Sequence, residues 1–374
     1  MMRHRTLLFA LSGIGAVASL SAAFGGEYPA LGPLPPVKAP TDNPATPAKV
    51  ELGKKLFFDG RLSGNGAMPC AACHRPELGW GTGGAISFGY PGTTHWRNSQ
   101  TILNAAHYTK LFWDGSSTNL EKQAWGAAGG AVAGNGDDAM MEMRLAFVPE
   151  YRQAFKEVFG TDWPLLSDAW KVIAAFERTI VSDPKKVPFD RYMTGDKTAI
   201  SEAAKRGMAL FQGKANCVSC HNGPLLSDDK YHKLGVPEPK EFAEDAVQQI
   251  TLRWEFYQKG VPEKIYRAAD RDLGLYFTTM RPDDIGKFRT PSLREIKYTG
   301  PYMHNGVLDS LADVIAFYNK GGGPDAETKP LGLTDAETKD LLAFLDTLSM
   351  DEPLVVADPD LPPTAPLADK GQRP

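Results

Sequence analysis

The stretch CAACH, Cys70 to His74, returns as CVSCH, Cys217 to His221, and the two copies use all four cysteines of the 374-residue chain. A redox C-x-x-C pair needs no histidine after it, and a zinc site built on C-x-x-C usually draws on further Cys or His pairs that this chain lacks. Covalent c-type haem accounts for every one of these residues. Both thiols of a copy add to the haem vinyl groups, and the next residue along the same turn presents its imidazole to the iron. The spacing predicts two covalent haems, attached at Cys70 and Cys73 and at Cys217 and Cys220, with His74 and His221 as the proximal ligands.

The compartment agrees with that chemistry. A basic start, MMRHR, runs into the apolar TLLFALSGIGAVASLSAAF, which reads as a secretory signal peptide over residues 1–23 rather than a retained anchor, because small residues break it and close it. Haem is attached to such cysteines after export, so the expected location is the periplasm, without stable membrane insertion. A net charge of −4 argues against a nucleic-acid surface and leaves a protein or a small molecule as partner.

The chain also repeats itself around the motifs. Gly53-Lys-Lys-Leu56-Phe57 precedes the first and Gly207-Met-Ala-Leu210-Phe211 the second, each ending a stretch with apolar residues at helical spacing. Each half closes on a similar helix, VIAAFERTIVS and LLAFLDTLS, the latter opened by a capping-box pattern, Thr334 to Glu337. Beta signals are sparse, and 29 prolines with 37 glycines imply long ordered loops between few helices. The expected fold is mainly α: two cytochrome c-like helical domains, residues 42–195 and 196–354, with one haem each. An N-terminal arm, 24–41, and a C-terminal tail, 355–374, flank them, and their Pro-rich sequence reads as loosely held chain. Beyond the proximal histidines, ligand candidates are His95, His107, His232, His304 and the methionines.

Three further stretches, RNSQTILNAAHY, LFWDG and FRTPSLREIKYTGPYMHNGVLDSLADVIAFYNKGG, resemble the bacterial di-haem cytochrome c peroxidase and MauG superfamily across most of residues 47–350. The resemblance implies that the first haem meets H2O2 and that the second is six-coordinate. Peroxidases of the superfamily place Met opposite the second proximal His, whereas MauG-like members place Tyr in the helix after PY-x-H-x-G; here that residue is Tyr318, with Met303 as the fallback. An anionic phenol oxygen favours oxidised iron, while a thioether favours ferrous iron. The same resemblance makes Trp113 the relay between the haems, and Asn98, Thr299 and Pro301 the ligands of one Ca2+ at the domain interface, through an amide oxygen and two carbonyls.

Two departures stand out. Where the superfamily carries a distal acid after the FWDG tryptophan, this chain reads QAWGAAGGAVAGNGDDAMMEM, so proton transfer is left to Asp137, Asp138 or Glu142, or to Gln123 with water. Ala215 replaces the tryptophan that MauG carries two residues before the second motif. The resemblance thus implies a peroxide-dependent di-haem oxidoreductase that forms a bis-Fe(IV)-like state and oxidises a tryptophan of a periplasmic partner protein. That chemistry would follow the methanobactin-associated MbnH type, which converts Trp to kynurenine, or MauG's cofactor maturation. The alternatives are a peroxidase drawing electrons from a small cytochrome, and a di-haem electron-transfer cytochrome; a structural zinc module is the remaining competitor.

Overall fold

A computed structural model describes residues 28–91 and 93–363, so the expected signal peptide lies outside the described residues. The helices are α1 (Pro47–Phe58), α2 (Leu120–Gly129), α3 (Asp138–Ala146), α4 (Pro149–Phe159), α5 (Leu166–Glu177), α6 (Pro188–Met193), α7 (Glu202–Gln212), α8 (Ala246–Gln258), α9 (Glu263–Ala268), α10 (Tyr276–Thr279), α11 (Leu311–Asn319) and α12 (Asp335–Asp346). Two three-residue strands, β1 (Tyr231–Lys233) and β2 (Lys287–Arg289), pair antiparallel with Tyr231 opposite Arg289. Loops join these elements, as the proline and glycine content implied. The ends of the paired helices are set by local chemistry. Thr46 caps α1 ahead of Pro47, Ser201 caps α7, and Thr334 and Glu337 form the expected capping box on α12.

The internal repeat has a packing reason. α1 crosses α5 and α7 crosses α12, and each crossing is made at a glycine. A Cβ at Gly53 would stand 1.8 Å from the Val172 carbonyl oxygen, and one at Gly207 would stand 1.9 Å from that of Asp340. Next to each crossing an aromatic pair closes the core: Phe57 on Phe176 at 5.4 Å, Phe211 on Phe344 at 5.2 Å. Around them lie two separate apolar clusters, one built from residues between Leu52 and Ile180, the other mainly from residues between Val187 and Met350. Val187 and Phe189, which the sequence division assigns to the first half, pack in the second, with Phe189 edge-on to Phe344 at 5.8 Å.

A third cluster has no counterpart in the repeat. α8, α9 and α10 bring Leu252, Phe256, Tyr276 and Phe277 together and enclose Trp96 and Val132 from the other half. The terminal arms also differ from expectation, because backbone groups fix them. Pro29 O accepts from Gly223 N, Gly32 O from Arg294, Leu354 O from the Trp80 indole at 2.7 Å, and Pro362 O from Arg61. Proline removes donors but leaves carbonyls free, which suits a strap held through its acceptors.

Alanine is the better helix former, so Gly53→Ala or Gly207→Ala on an open helix face would stabilise. Here the helices must separate instead, and each substitution should destabilise the folded protein by on the order of 3 kcal/mol, read as a fall in Tm and urea midpoint.

Candidate haem sites and the interface between them

Both CxxCH motifs adopt the same local form. Cys70–Ala72 and Cys217–Ser219 are single 3-10 turns, after which His74 N donates to Cys70 O at 3.1 Å and His221 N to Cys217 O at 2.8 Å. One turn therefore carries both sulfurs and the imidazole. Each ring is then aimed by a carbonyl: His74 Nδ1 lies 3.2 Å from Trp80 O and His221 Nδ1 3.1 Å from Leu226 O. Trp80 and Leu226 both take the left-handed conformation, at φ 59° and 55°, held by complete burial of their side chains. With Nδ1–H donated to the backbone, Nε2 is the free ligand atom, and burial holds both imidazoles below their ordinary pKa, in the neutral form iron requires. Burial also pushes the Cys70 and Cys217 thiols up to about 12. Thioether formation removes that titration.

The second motif opens on a cavity of about 570 Å³, whose walls include His221, Cys217, Cys220, Tyr318, Met303 and His304. Its largely apolar lining and the turn at its edge fit a covalent haem. Burial, followed by the nearby Cys217 and Cys220, pushes the Tyr318 phenol above its ordinary range, and no hydrogen bond reaches its hydroxyl among the described residues. Such a phenol stays neutral unless a cation meets its oxygen. Met303 lines the same space, so the cavity holds both distal candidates.

Between the halves stands Trp113. It is 8% exposed; its indole donates to Asn98 O at 2.9 Å, its carbonyl accepts from Arg289 N at 2.9 Å, and it meets the His304 ring edge-on at 6.4 Å. His304 stacks on Phe288 at 3.7 Å, and its Nε2 is buried without a partner. Asp114, next in sequence, joins a buried network the sequence reading missed. Arg97 bonds Asp114 at 2.8 Å and Asp272 at 2.9 Å, while the Trp96 indole donates to Asp272 at 3.1 Å. Burial pulls the guanidinium pKa down and the two carboxylates outweigh it, leaving Arg97 above its ordinary range. The FRTPSLRE stretch bolts the halves together: Arg289 reaches Phe112 O and Gln100, and Glu295 accepts from Ser182 at 2.6 Å, while Arg294 holds Asp190 within the second half through two 2.7 Å contacts.

Asn98 Nδ2 donates to Gly84 O and Ala85 O, both at 3.0 Å, and Asn98 N donates to His304 O at 2.7 Å. Among the described residues no hydrogen bond reaches Asn98 Oδ1 or the carbonyls of Thr299 and Pro301. Three unclaimed oxygens of this kind are the donor type that calcium takes.

The expected distal acids are all engaged elsewhere. Asp137 caps α3 through Met140 N, Asp138 accepts from the Trp125 indole at 3.3 Å, and Glu142 accepts from the Trp163 indole at 2.7 Å and from Leu166 N at 3.2 Å. Gln123 remains, half-buried on α2. Glu177 was missed: it ends α5 fully buried, with Oε2 unpartnered, and its charge is felt at Cys70. Its signal was visible, since Leu166, Trp170, Ile173 and Glu177 share one helical stripe.

Two haem-bearing helical halves joined by a tryptophan define a di-haem c-type redox protein. A family model described as di-haem cytochrome c peroxidase matches residues 47–198. The chain is 61% identical to the cytochrome-c peroxidase IdrP1 of Denitromonas iodatirespirans over 96% of both chains, and 37% identical to the methylamine utilization protein MauG of Methylorubrum extorquens over 87% of this chain and 85% of that one. Among solved structures, a MauG-like protein associated with microbial copper homeostasis superposes with TM-score 0.70 at 30% identity, over 85% of this chain and 94% of that one. The chain belongs to the di-haem cytochrome c peroxidase and MauG family.

Burial raises the Glu177 carboxyl from its ordinary 4.5 to about 8, with Arg178 opposing and Glu121 adding to the rise. The unfolded chain then releases this proton at lower pH than the folded one, so stability should decline as pH climbs between those two values. Glu177→Gln should flatten that decline in Tm measured against pH.

Proposed function

We propose that this chain reduces hydrogen peroxide at the iron carried by His74 and takes the electrons from a partner protein, with the second iron held between His221 and Tyr318. The observation that carries this is the half-buried Tyr318 phenol, free of hydrogen bonds among the described residues, on the wall of the cavity that His221, Cys217 and Cys220 also line. When bound, the haems supply the redox chemistry: H2O2, two electrons and two protons give two waters. The chain's residues do the rest. Trp80 and Leu226 carbonyls orient the two imidazoles, Trp113 bridges the halves, and Gln123 with water holds the proton on the peroxide side. The reading assigns the chain to the periplasm, since haem attachment at CxxCH follows export; among the described residues no helix is long and apolar enough to cross a membrane.

Two reductants fit. The relatives named cytochrome-c peroxidase, at 61% and 60% identity, support a small electron-carrying protein. Tyr318 and the likeness to MauG support a tryptophan side chain of a partner as the group oxidised. A calcium ion on Asn98, Thr299 and Pro301 would hold the halves in register.

In the ferric protein, one equivalent of H2O2 should remove one high-spin and one low-spin EPR signal together; two low-spin signals indifferent to peroxide would overturn the reading. Tyr318→Met should raise the midpoint potential of the second haem in a redox titration, because a thioether replaces an anionic oxygen. Turnover with a reduced small cytochrome, against mass spectrometry of a partner's tryptophans, separates the two reductants. Calcium should bind once by calorimetry and be lost in Asn98→Ala.

A further inference from the structure

The structure ranks the chain's seven tryptophans, which the sequence could not do. Trp80 and Trp170 are buried in the first core, and Trp125 and Trp163 lie on the surface beside α3. Trp96 and Trp254 belong instead to the third cluster and its outer face, next to the inter-haem tryptophan.

Trp96 is 4% exposed, and its indole meets a buried carboxylate. Its N–H donates to Asp272, the Arg97 guanidinium lies over its ring at 5.8 Å, and that one cation is bound by two buried carboxylates, Asp272 and Asp114. A net negative cluster in a low-dielectric site stabilises an indole cation far more than the same charges would in water. The His95 ring stacks on it at 4.8 Å, and burial keeps that imidazole neutral, at about 4. Toward the haems, the Trp113 indole hydrogen-bonds Asn98 O, two residues along the same backbone. Toward the surface, Trp96 meets Phe277 at 6.3 Å, Phe277 meets Phe256 at 5.4 Å, and Phe256 lies on α8. The other side of α8 carries Trp254, 47% exposed and stacked on Tyr257 at 5.6 Å. Gln248 ties this helix to His95 O at 3.3 Å.

We propose that Trp96 is a redox relay and that the Trp254–Tyr257 pair on α8 is the point at which electrons enter this protein. The inference rests on the peroxide reading above, and it holds for either reductant. One electron leaves the Trp96 indole for the peroxide-oxidised haem pair, and one from Trp254 or Tyr257 replaces it. Trp96 keeps its N–H on Asp272. The surface ring gives its N–H or O–H proton to water and recovers an electron and a proton when the partner is oxidised.

The test uses the full-length protein with both haems and a small excess of H2O2, with no partner present. Holes that reach the surface then have no reductant, and peptide mass spectrometry should find oxygen added to Trp254 and Tyr257 several-fold more than to Trp125 and Trp163. Those two are internal controls, at 52% and 41% exposure. Trp96→Phe should abolish the excess at Trp254 while the optical response to peroxide persists. Trp254→Phe, a surface change, should slow electron uptake from a reduced cytochrome several-fold with the same optical response. Labelling that follows exposure alone, or survives in Trp96→Phe, overturns the relay. A wild-type protein whose spectrum ignores peroxide overturns the peroxide reading, and the relay with it.

Discussion

The buried Arg97 guanidinium is the contact on which the interface between the halves depends. Its partners come from both sides of the interface, Asp114 beside Trp113 and Asp272 from the loop before α10. Neither carboxylate nor guanidinium could remain charged there alone, because desolvation of a single buried ion costs several kcal/mol. Together they oblige residues 96–98, 113–114 and 272 to keep one arrangement. Removing Arg97 leaves two carboxylates facing each other in the interior without a cation. That obligation is what fixes Trp113, whose indole already spends its only donor on Asn98 O. A bridge between two redox centres has to stay at constant separation, and a charged network that tolerates no slack is well suited to hold it.

Much of this was legible in the sequence, and for identifiable reasons. The CxxCH copies are local, so the turn, both sulfurs and the histidine follow from five consecutive residues. The glycine-aromatic repeats marked the helix pairs because a close crossing needs a glycine at the contact and a large ring beside it. Tyr318 and Trp113 could be put forward as candidates because long motifs surround them. What could not be read was everything that depends on partners distant in the chain. Asp272 and Arg97 are 175 residues apart. The same limit applies to Asp138 and Glu142, since a run of acids after a glycine-rich loop gave no sign that two exposed indoles would claim them, whereas Asp137 is held locally as the cap of α3. The terminal straps look disordered by composition, yet their carbonyls meet donors fixed by the cores.

The two halves share a scaffold but differ in what surrounds it. In each, the crossing helices and the carbonyl-aimed histidine are the same device built twice. The second half adds α8, α9 and α10 between its motif and the FRTPSLRE stretch, and those helices cover Trp96 of the first half. Duplication therefore explains the haem sites and does not explain the interface. Chemistry that needs two unequal irons needs the unequal parts, here Tyr318 on α11 and the third apolar cluster, and these are the parts the repeat lacks.

The asymmetry also bears on how oxidising power can be kept from damaging the protein. Trp80 lies against Phe57 and Phe176 with its N–H on Leu354 O, in apolar surroundings where a positive charge on the ring would be uncompensated. Trp96 sits beside a net negative buried cluster. Two indoles of the same chemistry thus differ in surroundings, one among apolar rings and one hydrogen-bonded to a carboxylate. The buried ions that lock the interface are therefore the same ions that meet Trp96.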